Sequence, residues 1–180
     1  PAYLDDGEKT GRVTDEGYNK IISVSISTGL SGTYNSIRLV SEEFENIEFA
    51  LIDTKNIGIG AGYTAIYAGS LIEQGLNFKE IVDKVNANLE YTKIYFCVGT
   101  LEYLIKGGRI GLVLGAIGQL LNLKPIISCN DDGVYYTVEK VRGRNKSLQT
   151  TLEKAIEFGK DFENYKIKIE RIINHLLRSK

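Results

Sequence analysis

Ile21-Ile22-Ser23-Val24-Ser25-Ile26-Ser27-Thr28-Gly29-Leu30-Ser31-Gly32-Thr33-Tyr34-Asn35-Ser36-Ile37 is the stretch whose reading decides the fold. Its first part alternates β-branched residues with serine, the pattern of a strand. The strand runs into a turn of Gly, Ser and Thr, and a helical pattern follows with Ile37, Leu39 and Val40 as apolar members. A strand, a Gly/Ser turn and a helix start gather free backbone N–H groups at a helix N-terminus. The partial positive charge there favours an anion. Ser27, Thr28, Ser31 and Thr33 add hydroxyls, and Gly29 and Gly32 allow close backbone approach. Two readings follow: an oxyanion cradle for a carboxylate or phosphate, or an ordinary βα loop with Ser or Thr as helix cap.

Downstream, a helix is expected over about 34–46, with Ile37, Val40 and Phe44 on one face, and Phe49-Ala50-Leu51-Ile52-Asp53 reads as a second strand buried on both faces, as in a parallel sheet. Asp53, at its carboxyl end, is expected to point toward the crevice that holds the Gly/Ser turn. A second Gly-rich turn, Thr54 to Gly62, leads into a helix over about 61–74. Its Gly58-Ile59-Gly60-Ala61-Gly62 run lacks the spacing of a dinucleotide-binding fingerprint. Asn77 is placed to cap a further helix over about 78–90, with Ile81, Val82, Val85 and Leu89 on one face.

The second half changes character. Lys93 to Gly99 reads as a strand, with Thr100 as cap of a short helix. Lys106-Gly107-Gly108-Arg109 stops that helix and exposes a guanidinium suited to a carboxylate or phosphate, or simply a surface Arg after a helix end. Ile110 to Leu123 is apolar almost all round, which predicts a buried helix or the wall of an apolar cavity. Lys124 to Cys129 and Val134 to Val141 read as strands of a hairpin joined by Asn130-Asp131-Asp132-Gly133, with Pro125 favouring a strand start or edge. A basic loop, Arg142 to Lys146, is expected before a helix capped by Ser147 and running to about Gly159. Tyr165 to Ile169 reads as a strand and Ile172 to Leu177 as a helix start. The overall expectation is an α/β protein: an N-terminal Rossmann-like parallel-sheet layer (1–90) and a C-terminal α+β domain with antiparallel strands (91–180).

Composition narrows the function classes. Of 180 residues, 43% are hydrophobic and 25% charged, which is the globular range. A formal net charge of -1 argues against a nucleic-acid binder. The apolar runs are too short to span a bilayer, and no secretory leader is evident, so a cytoplasmic location is expected. Cys97 and Cys129 lie in strand-like apolar runs and read as buried thiols. No Cys/His cluster has metal-ligand spacing, so neither a metal nor a cofactor is expected. His175, the only histidine, reads as a surface or half-packed residue. The chain contains no Met and starts at Pro1, which suggests that segments of a longer protein are missing. Hydroxyls, backbone N–H groups and an Arg without evident proton-transfer machinery favour binding over turnover. A hydrolase or transferase acting on an acyl or phosphate oxyanion, with Ser31 as nucleophile, is the alternative.

Three blocks carry a family resemblance. Ile26 to Ser36 resembles the I-S-S-x-L-S-G-T-Y-x-S-A signature of the DegV family. Thr100 to Ile110 resembles its T-L-x-Y-L-x-K-G-G-R-I segment. Leu123 to Ile127, Asp132-Gly133 and Lys140 to Arg144 resemble its K-P-I/L, D-G and K-V-R stretch, and Asp53-Thr54-Lys55 stands where members have D-S-K or D-T. The resemblance implies a bacterial, cytoplasmic fatty-acid-binding carrier, not an enzyme, with a long-chain fatty acid held between two domains. It also implies presentation of the carboxylate to a fatty acid kinase in phospholipid metabolism, and transient membrane contact. Carried across, Ser31 and the Gly32 N–H hold the carboxylate, and Thr33 and Ser27 support that turn. Arg109 lies near the head group, and Arg142 becomes a surface contact for the kinase. The chain departs from the pattern at both ends. It lacks the strand ending in Asp-Ser, the Thr-Ser-x-Pro turn (whose Pro would be Pro1) and the His-x-Gly-Pro-Gly setting that His175 does not match.

Overall fold

The computed structural model describes residues 17–116, 123–160 and 162. The elements are β1 (Lys20–Ser25), α1 (Thr33–Ser41), β2 (Glu48–Asp53), α2 (Gly58–Glu73), α3 (Phe78–Asn88), α4 (Glu102–Lys106), β3 (Leu123–Cys129), β4 (Tyr135–Arg142) and α5 (Arg144–Gly159). They form two compact units. Among the described residues the first holds the chain up to Ile94 together with Cys129–Val134, and the second holds Tyr95–Ser128 and the chain from Tyr135 onward. The fold is mixed α/β, with one parallel and one antiparallel strand pair.

In the first unit β1 and β2 are parallel, with Ile22 opposite Ala50 and Ser25 opposite Asp53. That register brings the ends of both strands to one edge of the sheet. Ile52 from β2, Ala68 and Leu71 from α2, and Ile81 and Val85 from α3 make the core, and Ile22 and Val24 pack against it. Val85 is fully buried, and burying such a side chain contributes about 1.5–3 kcal/mol. The small residues Gly60, Ala61, Thr64 and Ala68 form the buried face of α2. Asn77 caps α3 through a reciprocal capping box with Glu80. α1 is shorter than expected, ending at Ser41. Phe44, read as part of its apolar face, instead packs on Phe49 with ring centroids 6.3 Å apart.

The second unit corrects three expectations. The strand expected over Lys93–Gly99 is reduced to a single antiparallel bridge, Phe96 with Ile127. Pro125 limits the pairing on one side of that bridge. Antiparallel register carries the next hydrogen-bonded pair to Val98 and Pro125, and proline has no N–H to donate. The apolar run after Arg109 begins as a 3-10 turn, Gly111–Ala116, rather than a uniformly buried helix. Val113 is buried there, but Leu112 is 64% exposed. Residues 117–122 of that run lie outside the described residues. Finally, Arg142–Lys146 is not a basic loop. α5 starts at Arg144, and the chain reverses at Gly143 with φ 80, a conformation that suits glycine. Ser147 lies inside the helix, fully buried, and donates to the Arg144 carbonyl at 2.8 Å.

β3 and β4 form the expected hairpin. The Phe96 and Tyr135 rings meet edge-on at 5.4 Å, and Arg144 donates to the Cys97 carbonyl at 3.4 Å. α4 ends as expected. Gly108, φ 69, lets its N–H reach the Ile105 carbonyl while the Arg109 N–H reaches that of Leu104, a Schellman cap. The readings for Pro1–Glu16, Tyr165–Ile169, Ile172–Leu177 and His175 fall outside the described residues.

Candidate functional site

The Gly/Ser turn sits at the carboxyl edge of the parallel strands and is built around Ser27, which is completely buried. Its N–H donates to the Asn56 carbonyl at 2.8 Å, and its own carbonyl accepts from Leu30 and Ser31 N–H at 3.0 and 3.1 Å. Its Oγ accepts from Gly29 N–H at 3.1 Å. Ser27 is therefore the inner support of the turn, with its hydroxyl enclosed. The outward hydroxyls belong to Ser31 and Thr33, both half-buried. Their oxygens share a hydrogen bond of 2.8 Å, and Thr33 N–H donates to Ser31 Oγ at 3.2 Å. α1 begins at Thr33 without a side-chain cap. The N–H groups of Gly32, Tyr34 and Asn35 have no acceptor among the described residues. Hydroxyls and amides of this kind at a helix start are donors of the type that suits an oxyanion.

Asp53 holds the neighbouring turn. Its Oδ1 accepts from the N–H groups of Thr28 at 3.2 Å and Lys55 at 3.1 Å, and its Oδ2 accepts from the Thr28 hydroxyl at 2.6 Å. Lys55 Nζ lies 2.9 Å from the same oxygen. Burial pushes the Asp53 carboxyl up, but these hydrogen bonds outweigh it and hold it below the ordinary carboxylate value. The expectation that Asp53 faces the crevice of the Gly/Ser turn is met by these bonds. Lys55 has φ 50, the one positive φ outside glycine among the described residues, and Asp53 holds it from both backbone and side chain. Asn56 is buried, donates to the Thr92 carbonyl at 2.9 Å and receives the Ile57 N–H at 3.1 Å. A cleft of about 220 Å³ lies beside it, bordered by Thr54, Asn56, Ile94, Cys129 and Asp131.

Ser27, Ser31, Gly32 and Thr33 are thus gathered in one turn of the first unit. Arg109 and Arg142 belong to the second. Arg109 is exposed, with its guanidinium donating to the Gly107 carbonyl at 2.6 Å, and Arg142 is exposed at the end of β4. Both cysteines are free. Burial pushes the Cys129 thiol up to about 11, partly offset by Lys93. Among the described residues no cluster of metal-ligating side chains occurs, and no helix is long and apolar enough to cross a membrane. The roles of Thr28, Lys55 and Asn56 as turn supports were not singled out from sequence. The signal available was local: Asn56 precedes a Gly-rich helix start, a position where Asn bonds nearby backbone.

The fold and site define an α/β protein whose parallel-sheet edge carries a hydroxyl-rich βα turn. A family model described as "Uncharacterised protein, DegV family" matches residues 8–174, and the chain belongs to the DegV family. A DegV domain-containing protein of Clostridium acetobutylicum is 50% identical over 138 residues, covering 77% of this chain and 49% of that protein. The chain spans about half the length of the curated relatives it matches. Among solved structures, a DegV family protein of Streptococcus agalactiae described as fatty acid binding superposes with a TM-score of 0.83 at 28% identity. The match covers 99% of this chain and 66% of that one. A stearic acid-binding protein of Eubacterium ventriosum gives a TM-score of 0.80 at 28% identity, over 89% of this chain and 56% of that one.

Proposed function

We propose that this protein binds a long-chain fatty acid, with the carboxylate held by Ser31, the Gly32 N–H and Thr33, and presents it to a fatty acid kinase. The observation that carries the reading is the Ser31–Thr33 turn. Its paired hydroxyls and unengaged amides suit an ionised carboxylate, in a family whose solved members include proteins described as fatty acid binding. Ser27 acts by shaping the turn. Arg109 is proposed as a head-group contact and Arg142 as a contact for the kinase, both from the family segments that contain them. The 1–90 and 91–180 halves are proposed as the two domains, in a bacterial, cytoplasmic carrier serving phospholipid metabolism.

Affinity would come mainly from the tail. Each buried CH₂ contributes about 0.8 kcal/mol, so a sixteen-carbon chain gains roughly 10 kcal/mol before ordering costs. The head-group bonds then fix orientation. Acyl transfer by Ser31 is less well supported. A nucleophilic serine needs a base, and the hydrogen-bond partner of Ser31 Oγ is the Thr33 hydroxyl, which has no basicity at neutral pH.

The test is calorimetric titration of the delipidated full chain with palmitate and stearate. Saturable uptake of one fatty acid per chain supports the proposal, and no uptake overturns it. For the kinase step, acyl phosphate should form from ATP only when carrier and kinase are both present. Arg142→Glu should slow that step and leave fatty-acid affinity unchanged.

A further inference from the structure

The tip of the β3–β4 hairpin belongs to the first unit, and it is interlocked with the Gly/Ser turn at two glycines. The tip is tightly made. Gly133 N–H donates to the Asn130 carbonyl at 2.8 Å, Val134 N–H donates to Asn130 Oδ1 at 2.9 Å, and Asn130 N–H donates to the Val134 carbonyl at 3.0 Å. Gly133 has φ 73, and a Cβ placed on it would stand 1.8 Å from Ser27 Oγ and 2.9 Å from Ser27 Cβ. On the other side, a Cβ on Gly29 would stand 2.9 Å from the Asp132 carbonyl oxygen and 3.0 Å from that of Gly133. Ser27 is the residue whose carbonyl receives the Leu30 and Ser31 amides and whose Oγ receives that of Gly29. The hairpin tip thus packs on a side chain whose bonds help set the path of the chain into Ser31.

We propose that the Asp132–Gly133 tip is a positioning element for the carboxylate turn, acting through Ser27 to place Ser31 and Gly32. The proposal rests on the fatty-acid reading of that turn. It assigns the hairpin a place in head-group discrimination: with the tip seated, Ser31 and the Gly32 amide converge on one oxyanion. With the tip displaced, the tail still binds but the charge is no longer selected.

The experiment compares dissociation constants for a fatty acid and the fatty alcohol of equal chain length on the full chain. Gly133→Ala and Gly29→Ala are the test variants. Gly143→Ala, where a Cβ meets nothing within 4 Å but φ is 80, serves as a backbone-strained control away from the turn. The wild type and the control should prefer the acid. Both test variants should lose about tenfold of that preference, the scale of one charge-assisted hydrogen bond, with alcohol affinity little changed. If Gly133→Ala does not fold, Gly29→Ala carries the comparison. Full acid preference in the folded variants, or equal loss for both ligands, overturns the positioning role. A wild type that takes up neither ligand overturns the underlying fatty-acid reading instead.

Discussion

The Thr28 hydroxyl donates to Asp53 Oδ2 across 2.6 Å, joining two turns separated by twenty-five positions in the chain. The parallel register places β1 and β2 level at Ser25 and Asp53, so the residues just beyond each strand meet. Asp53 then does for the Gly/Ser turn what a helix cap does for a helix end: it accepts backbone N–H groups that would otherwise lack a partner.

Asp53→Asn should therefore destabilise the protein by about 1–3 kcal/mol, the range for hydrogen bonds to a charged group. Asparagine keeps one acceptor but loses attraction for the Lys55 ammonium. The folded carboxyl titrates below its ordinary value of 3.8. Its contribution is thus complete above that value and is lost as pH falls through the lower, folded value. Urea titrations of both proteins should show a gap that is constant from pH 5 to 8 and closes only below about pH 4. A gap that closes near neutrality would assign the effect to another group.

Ser31→Ala should weaken fatty-acid binding by about 1–3 kcal/mol, removing one hydroxyl from the head group. Folding should persist, because the turn is supported by Ser27, whose bonds the substitution does not touch. Circular dichroism and calorimetry on one sample separate the two effects. Loss of the folded state in the variant would contradict this division of roles.

Cys129 should resist alkylation in the native protein. It is 6% exposed, and burial pushes its thiol up to about 11. At pH 8 only about one part in a thousand is thiolate. Labelling with iodoacetamide followed by peptide mass spectrometry should show Cys129 unmodified until denaturant is added. Rapid native labelling would place it in a more polar setting.

Asn77→Ala should remove both arms of the α3 capping box. The expected cost is about 1 kcal/mol in thermal or urea denaturation. Fatty-acid affinity should be unchanged, since the capping bonds join only Asn77 and Glu80 and none reaches the Ser27–Thr33 turn.

Much of the first unit was legible in sequence because its signals are local. The β-branched run before Ser27, the apolar run ending at Asp53 and the Asn77 cap each state their element within a few residues. The hairpin was equally plain from Asn130-Asp131-Asp132-Gly133. What escaped depends on partners remote in the chain. Lys93–Gly99 has strand-like composition, but the register opposes Val98 to a proline, which no reading of residues 93–99 alone reveals. Ser147 looks like a cap, yet Gly143 starts the helix earlier through its positive φ. The candidate site was legible in the same uneven way. Ser31, Gly32 and Thr33 announce a turn with free donors. That Ser27 is enclosed, and that Gly133 closes over it, follows from the packing of a hairpin more than a hundred residues away.

The most direct test of the central claim is mass spectrometry of the purified full chain, first native and then denatured. The account predicts a native mass above that of the polypeptide by one long-chain fatty acid, and release of that acid on denaturation. A native mass equal to the polypeptide, in a protein that also fails to take up added palmitate or stearate, would contradict it.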